Sequence, residues 1–182
     1  MTKKHQIKTS KFLSLVLRHK PDTIGLTLDE NGWADTKELL DKINNNDFKL
    51  TLDELKSVVE NNDKKRFLFS PDFSKIRANQ GHSIKVDLEL TEKIPPENLF
   101  HGTAEKNLQS IKGKGLIKGQ RHHVHLSADK ETAYKVGQRY GNPIILIIKA
   151  NQMQEQGLKF YQSENGVWLT DTVSPHFIEF PK

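Results

Sequence analysis

Residues 91–98, Thr-Glu-Lys-Ile-Pro-Pro-Glu-Asn, divide the chain into two parts that read differently. Pro95 and Pro96 stiffen this stretch, and neither flank carries a helical or strand period. A joint here leaves each part to build its own small core. The expected class is therefore α+β in two lobes, 1–90 and 99–182, with 91–98 as the linker.

The first part reads as helices followed by a hairpin. Thr9 or Ser10 can cap a helix that carries Phe12, Leu13, Val16 and Leu17 on one side. Pro21 disfavours helix at the residue before it, which ends this helix near His19–Lys20. Asp35 or Thr36 can cap a second helix with Leu39, Leu40 and Ile43. Thr51-Leu-Asp-Glu54 is a capping-box pattern ahead of Leu55, Val58 and Val59. Phe67–Phe69 and Ser83–Val86 read as strands around two turn-rich stretches, Ser70-Pro-Asp72 and Asn79-Gln-Gly81. Three short helices and a hairpin make a winged-helix-like module.

The second part mixes strands and helices. Leu99–His101 is expected as a strand, and Ala104–Lys112 as a helix that ends near Gly113 and Gly115. Val124–Leu126 is another strand, and Asp129 can cap a helix over Lys130–Gln138. Pro143-Ile-Ile-Leu-Ile-Ile148 is a β-branched run of the kind that fills a buried strand. Phe160-Tyr161 and Val167-Trp-Leu169 are short strands joined through an Asn165-Gly166 turn.

Composition removes several classes of function. Without cysteine there is no disulfide framework, no zinc–thiolate site and no thiol nucleophile. No apolar run approaches the roughly 20 residues of a membrane span. The opening Met1-Thr-Lys-Lys-His-Gln lacks the apolar region of a signal peptide. These features read as a cytoplasmic protein that makes no membrane contact. The net charge is +5, yet residues 1–90 hold 16 basic and 14 acidic side chains, and residues 91–182 hold 12 and 9. A local anion pocket fits this balance better than a broad basic face.

Arginine is the scarce cation. Of 28 Lys+Arg only five are arginine, namely Arg18, Arg66, Arg77, Arg121 and Arg139. Lysine being the default, an arginine marks a place that needs a planar, bidentate, permanently charged donor, as phosphate does. Arg18 precedes His19, and Arg121 precedes His122 and His123. Arg18-His19 lies at a helix C-terminus, where charge complementarity alone also accounts for a cation.

His101-Gly102-Thr103 follows a strand, and Gly102 would let a ligand approach the backbone. His122-His123-Val124-His125-Leu126-Ser127 places His123 and His125 on one strand face. Two such histidines can ligate a metal, can be half-buried and hydrogen-bonded, or can line a pocket with Ser127 and Arg121; the last is preferred. His101-x-Thr103 and His125-x-Ser127 also resemble the paired units of 2H phosphoesterases, at an unusually close spacing of 24 residues.

Taken in order, Leu17-Arg18-His19, Asn62-Asp-Lys-Lys-Arg66-Phe67, Ile76–Ser83, His101-Gly-Thr103, Arg121–Ser127, Val136-Gly-Gln-Arg139 and Asn165–Thr170 closely resemble the KptA-type RNA (tRNA) 2′-phosphotransferases. The likeness runs from about residue 10 to 178. It implies a winged-helix lobe that binds the RNA 2′-phosphate and an ADP-ribosyltransferase-like lobe that binds NAD⁺. It further implies transfer of an internal RNA 2′-phosphate to NAD⁺ through RNA-2′-phospho-ADP-ribose. The products are RNA with a free 2′-OH, nicotinamide and ADP-ribose 1″,2″-cyclic phosphate. By the same resemblance the catalytic residues are Arg18, His19, Arg66 and Arg121, and NAD⁺ is held by His101, Gly102, Thr103, His125, Ser127 and Val167. NAD⁺ is consumed and no metal is required. Arg139 is read as reaching RNA or a pyrophosphate oxygen, and Arg77 as holding the lobes in register. A tRNA-like 2′-phosphorylated partner and a monomeric enzyme complete the expectation.

Overall fold

A computed structural model describes residues 2–45, 48–62 and 64–181. The chain divides into two compact units, Met1–Glu89 and Leu90–Lys182. Both mix small sheets with helices, and the described residues contain six α-helices. None of these helices is long and apolar enough to cross a membrane.

In the first unit α1 spans Lys3–Arg18, α2 Thr36–Asn44 and α3 Leu52–Glu60. The first helix begins earlier than expected, because Thr2 caps it by accepting from the His5 N–H at 3.3 Å. Thr9 and Ser10 lie inside it and are buried. Asp35 caps α2 by accepting from the Glu38 N–H at 2.8 Å, and Thr51 with Glu54 closes the capping box of α3.

Strands β1 (Trp33–Asp35), β2 (Phe67–Phe69) and β3 (Lys75–Ala78) form an antiparallel sheet in the order β1-β3-β2. The register sets Phe67 opposite Ala78 and Phe69 opposite Ile76. The partner of Phe67–Phe69 is thus Lys75–Ala78, not Ser83–Val86. The reason lies in the turn. Asp72 accepts from the Ser70 and Ser74 hydroxyls and the Ser74 N–H at 2.6–3.1 Å, so the chain reverses within a few residues. Those bonds, the Ser70 hydroxyl first, lower the Asp72 carboxyl to about 2. Ser83 instead donates its N–H to the Arg18 carbonyl at 3.0 Å, and Asp87 to that of Glu30 at 2.8 Å. Leu13, Leu17, Leu39, Ile43, Leu55 and Ile76 are fully buried and form the centre of this unit's core.

In the second unit β4 (Leu99–Ala104) and β11 (Ile178–Glu179) flank β7 (Pro143–Ile148), all antiparallel. A second sheet runs β6 (Val124–Leu126), β9 (Trp168–Thr170), β8 (Tyr161–Gln162). Leu116–Ile117 (β5) pairs with Thr172–Val173 (β10). The helices are α4 (Leu108–Lys114), α5 (Lys130–Gly137) and α6 (Ala150–Glu155). Asp129 caps α5 through the Thr132 N–H at 2.7 Å.

The helix expected over Ala104–Lys112 starts later. Ala104 closes β4, and Glu105–Asn107 form a 3-10 turn before α4. Leu99, Leu126, Leu146, Ile148, Met153 and Phe160 are buried to 2 % exposure or less. Burying a side chain of this size contributes about 1.5–3 kcal/mol. Residues 91–98 are tied into the same unit. Lys93 donates its N–H to the Phe160 carbonyl at 2.8 Å, and Glu97 accepts from the Asn151 N–H at 3.2 Å.

Candidate functional site

Arg18, His19 and Arg66 are gathered within the first unit. Arg18 is the last residue of α1, and Nη2 donates to the Arg66 carbonyl at 3.2 Å. Its guanidinium carbon lies 5.8 Å from the centre of the Phe67 ring. His19 follows in the exposed C-cap, with Nδ1 2.9 Å from the Ser83 hydroxyl. Arg66 donates from Nη1 to Asn62 Oδ1 at 3.2 Å. Asn62 is buried and also donates from Nδ2 to the Ser10 hydroxyl at 2.9 Å. The Arg66 carbonyl accepts a further N–H from Asn79 at 2.9 Å. A helix end, a strand approach and two asparagines thus hold two guanidiniums and an imidazole in one neighbourhood, an arrangement suited to a multiply charged oxyanion.

Asn62, Asn79 and Ser83 hold this cluster in place, and residue type alone does not mark them. Asn62 stands four positions before Arg66, and its spacing was the available signal. Arg77 packs against its own sheet. Its guanidinium carbon sits 4.5 Å from the Trp33 ring centre, and Nη1 donates to the Asn31 carbonyl at 3.4 Å, with both partners in the first unit.

His101, Arg121 and His125 form a second cluster in the other unit. Phe100 and Ser127 exchange backbone hydrogen bonds at 2.9 and 2.7 Å, which stitches the β4 edge to the chain just after β6. His101 consequently reaches the His125 carbonyl, with Nδ1 at 3.0 Å. A carbonyl only accepts, so His101 Nδ1 carries the proton and Nε2 is the acceptor of the neutral ring. Desolvation, ahead of the opposing hydrogen bond to His125, holds the His101 pKa below 6.5 and favours that neutral form. Arg121 Nη1 lies 3.0 Å from His125 Nδ1. Guanidinium only donates, which leaves Nε2 as the protonated nitrogen of His125. Arg121 is exposed, and its N–H donates to the Lys118 carbonyl at 3.1 Å. Lys118 in turn pairs with Asp171.

Gly102, Thr103 and Val167 make contacts within their own unit. A Cβ on Gly102 would lie 1.7 Å from the Ala133 carbonyl oxygen of α5, so the missing side chain is what lets helix and strand touch. Thr103 is buried and accepts from Asn107 Nδ2 at 3.2 Å. Val167 precedes β9 and accepts the Ser163 N–H at 3.0 Å. The β6–β9 register sets Leu126 opposite Trp168, so Val167 follows at the Ser127 end. Arg139 is exposed just past α5. The His123 ring lies tilted against Tyr161, ring centres 5.7 Å apart, and burial lowers its pKa. Among the described residues no group of three or more His, Cys, Asp or Glu is placed to hold a metal ion.

Fold and site define a mixed α/β protein with an arginine–histidine cluster in each unit. Residues 4–172 match the family described as RNA 2′-phosphotransferase, Tpt1 / KptA, and the chain belongs to that family. A probable RNA 2′-phosphotransferase of Flavobacterium johnsoniae is 58 % identical over 171 residues, 94 % of each chain. The RNA 2′-phosphotransferase of Escherichia coli K12 is 54 % identical over 173 residues, again 94 % of each. A probable RNA 2′-phosphotransferase of Fusobacterium nucleatum is 53 % identical over 177 residues, 97 % of this chain and 99 % of that one.

Proposed function

We propose that this protein is an NAD⁺-dependent RNA 2′-phosphotransferase, with a winged-helix-like first lobe and an ADP-ribosyltransferase-like second lobe. The juxtaposition of Arg18 and Arg66, joined through the Arg66 carbonyl at 3.2 Å and followed by His19, carries the reading. The helix-strand-helix-helix-strand-strand order of the first unit supports the winged-helix assignment.

Arg18, Arg66 and Arg121 bind the 2′-phosphate and its transition state. A phosphomonoester is already anionic, so its attack on C1″ of the nicotinamide ribose needs no base. The C1″–nitrogen bond breaks and nicotinamide leaves. Valine at 167 is compatible with this, because positioning and charge neutralisation suffice. In the second step the ribose O2″ attacks phosphorus and the bond to the RNA 2′-oxygen breaks. O2″ loses a proton and the RNA oxygen gains one, with His19 as mediator; such catalysis is worth about 10²–10⁴-fold. The guanidiniums stabilise the charge that builds on phosphoryl oxygens, as fixed donors do in phosphoryl transfer. No metal takes part.

NAD⁺ fits the donor set of the second unit. His101 Nε2 can accept from a ribose hydroxyl, and His125 with Ser127 supplies donors for dinucleotide oxygens. Gly102, Thr103 and Val167 shape the same binding region. The substrate is a tRNA-like 2′-phosphorylated RNA, and the enzyme acts as a cytoplasmic monomer.

The test is a 2′-phosphorylated oligonucleotide incubated with and without NAD⁺, in the presence of a chelator. NAD⁺-dependent phosphate loss with nicotinamide release is expected. Phosphate loss that ignores NAD⁺ points to a phosphoesterase and sinks the proposal.

A further inference from the structure

Beside Arg66, within the first unit, lies a groove of about 530 Å³ whose composition is one-sided. Three lysines, Lys3, Lys11 and Lys64, line it together with Arg66, and no described lining residue is acidic. Its floor is polar and internally bonded. Asn62 Nδ2 donates to the Ser10 hydroxyl at 2.9 Å, and the Ser14 hydroxyl donates to the Ser10 carbonyl at 2.8 Å. Ile7 and Val58 are the apolar lining residues. Such a lining suits a polyanion rather than an apolar ligand or helix.

Length narrows the occupant further. Lys3 and Lys11 are eight residues apart on α1, about 12 Å along the helix axis. Successive phosphates of a duplex strand rise only about 3.4 Å. The groove therefore spans more than one nucleotide, and Arg66, which lines it, is assigned to the reactive 2′-phosphate. We infer that this groove is a track for the sugar–phosphate backbone flanking the modified nucleotide, with Lys3, Lys11 and Lys64 contacting neighbouring phosphates. The inference rests on the function proposed above and adds to it a requirement for RNA length.

Lys3→Gln, Lys11→Gln and Lys64→Gln are combined in the full chain. Two substrates are compared, a 2′-phosphorylated dinucleotide and a single-stranded nine-nucleotide RNA with the same modification at its centre. The triple variant keeps kcat/KM on the dinucleotide within about twofold. On the longer RNA, KM rises about tenfold or more, and the salt dependence of log affinity flattens by about 2, at roughly 0.7 per lost single-strand phosphate contact. The matching Lys→Arg triple restores both. Equal losses on the two substrates, or no loss on either, overturn the inference.

Binding of unmodified nine-nucleotide RNA, followed by fluorescence anisotropy, separates the two claims. If the wild-type chain shows no NAD⁺-dependent turnover, the proposed function fails, while a wild-type-to-variant difference in anisotropy still supports the groove. A variant that binds this RNA as the wild type does, but loses binding of poly-glutamate, assigns the groove to an acidic protein and overturns it.

Discussion

His101 and His125 carry their ring protons on opposite nitrogens. His101 donates from Nδ1 to the His125 carbonyl at 3.0 Å, and His125 Nδ1 accepts from Arg121 at 3.0 Å. One ring thus offers Nε2 as an acceptor and the other as a donor, side by side on strands that the Phe100–Ser127 bridge joins.

Replacing His101 with Asn separates the two nitrogens. An Asn amide can still donate to the His125 carbonyl but has nothing at the Nε2 position. His101→Asn should melt near the wild-type temperature and lose about 10–100-fold in kcat/KM for NAD⁺, the worth of one buried hydrogen bond to a ligand. Wild-type kinetics in this variant would remove His101 from the binding of NAD⁺.

The depressed His101 pKa makes stability depend on pH. As pH falls below about 6.5 the unfolded chain takes up the proton first, because the buried ring resists it. The stabilisation is fully present above 6.5 and is lost as pH falls towards the folded-state value. His123 shifts the same way and adds to the slope. Urea denaturation between pH 7.5 and 5.5 should show this decline, and His101→Asn should shrink it. A flat profile contradicts the assignment.

Two glycines should respond oppositely to alanine. Gly102→Ala forces a Cβ to within 1.7 Å of the Ala133 carbonyl oxygen, which is backbone and cannot swing away. A loss of about 3 kcal/mol or more is expected, or failure to fold. Gly113 lies within α4, and a Cβ there meets nothing within 4 Å. Gly113→Ala should gain about 0.5–1 kcal/mol. Chemical denaturation of the two variants measures both.

Arginine geometry, more than charge, should govern turnover. Arg18→Lys, Arg66→Lys and Arg121→Lys should each lower kcat about 10²-fold or more while leaving the fold intact, because lysine cannot supply two parallel donors. Arg77→Ala is the contrast. It removes the stack on Trp33 and the bond to Asn31, costs about 1 kcal/mol of stability, and leaves kcat near wild type. Steady-state kinetics beside thermal melts distinguishes the two patterns.

His19→Ala and Arg66→Ala should slow the second step more than the first. RNA-2′-phospho-ADP-ribose should then accumulate and be seen by mass spectrometry. Variants that show only substrate and product refute the roles given to these residues.

Local chemistry makes much of the fold legible in the sequence. Asp35, the Thr51–Glu54 box and Asp129 cap the helices expected of them, and Pro143–Ile148 is the strand its β-branched run implies. Each of these signals is complete within a few residues. The start of α1 was hidden because Thr9 and Ser10 look like caps, whereas their burial inside the helix depends on what packs against it. The four motif histidines and arginines nearest the proposed chemistry were readable as residue types. Their partners were not.

The chain alone carries its caps, its apolar runs, its five arginines and an order of motifs specific enough to place its family. Folding alone brings Arg66 to Arg18 across 48 positions, His125 to His101 across 24, and Gly102 against α5. It also selects Lys75–Ala78 over Ser83–Val86 as the hairpin partner, and it creates the two-residue strands β5, β10 and β11. The physical reason is range. A cap or a period is an energy settled between near neighbours, whereas a strand of two residues has no period, and a hydrogen bond between distant segments exists only once packing has closed the loop between them.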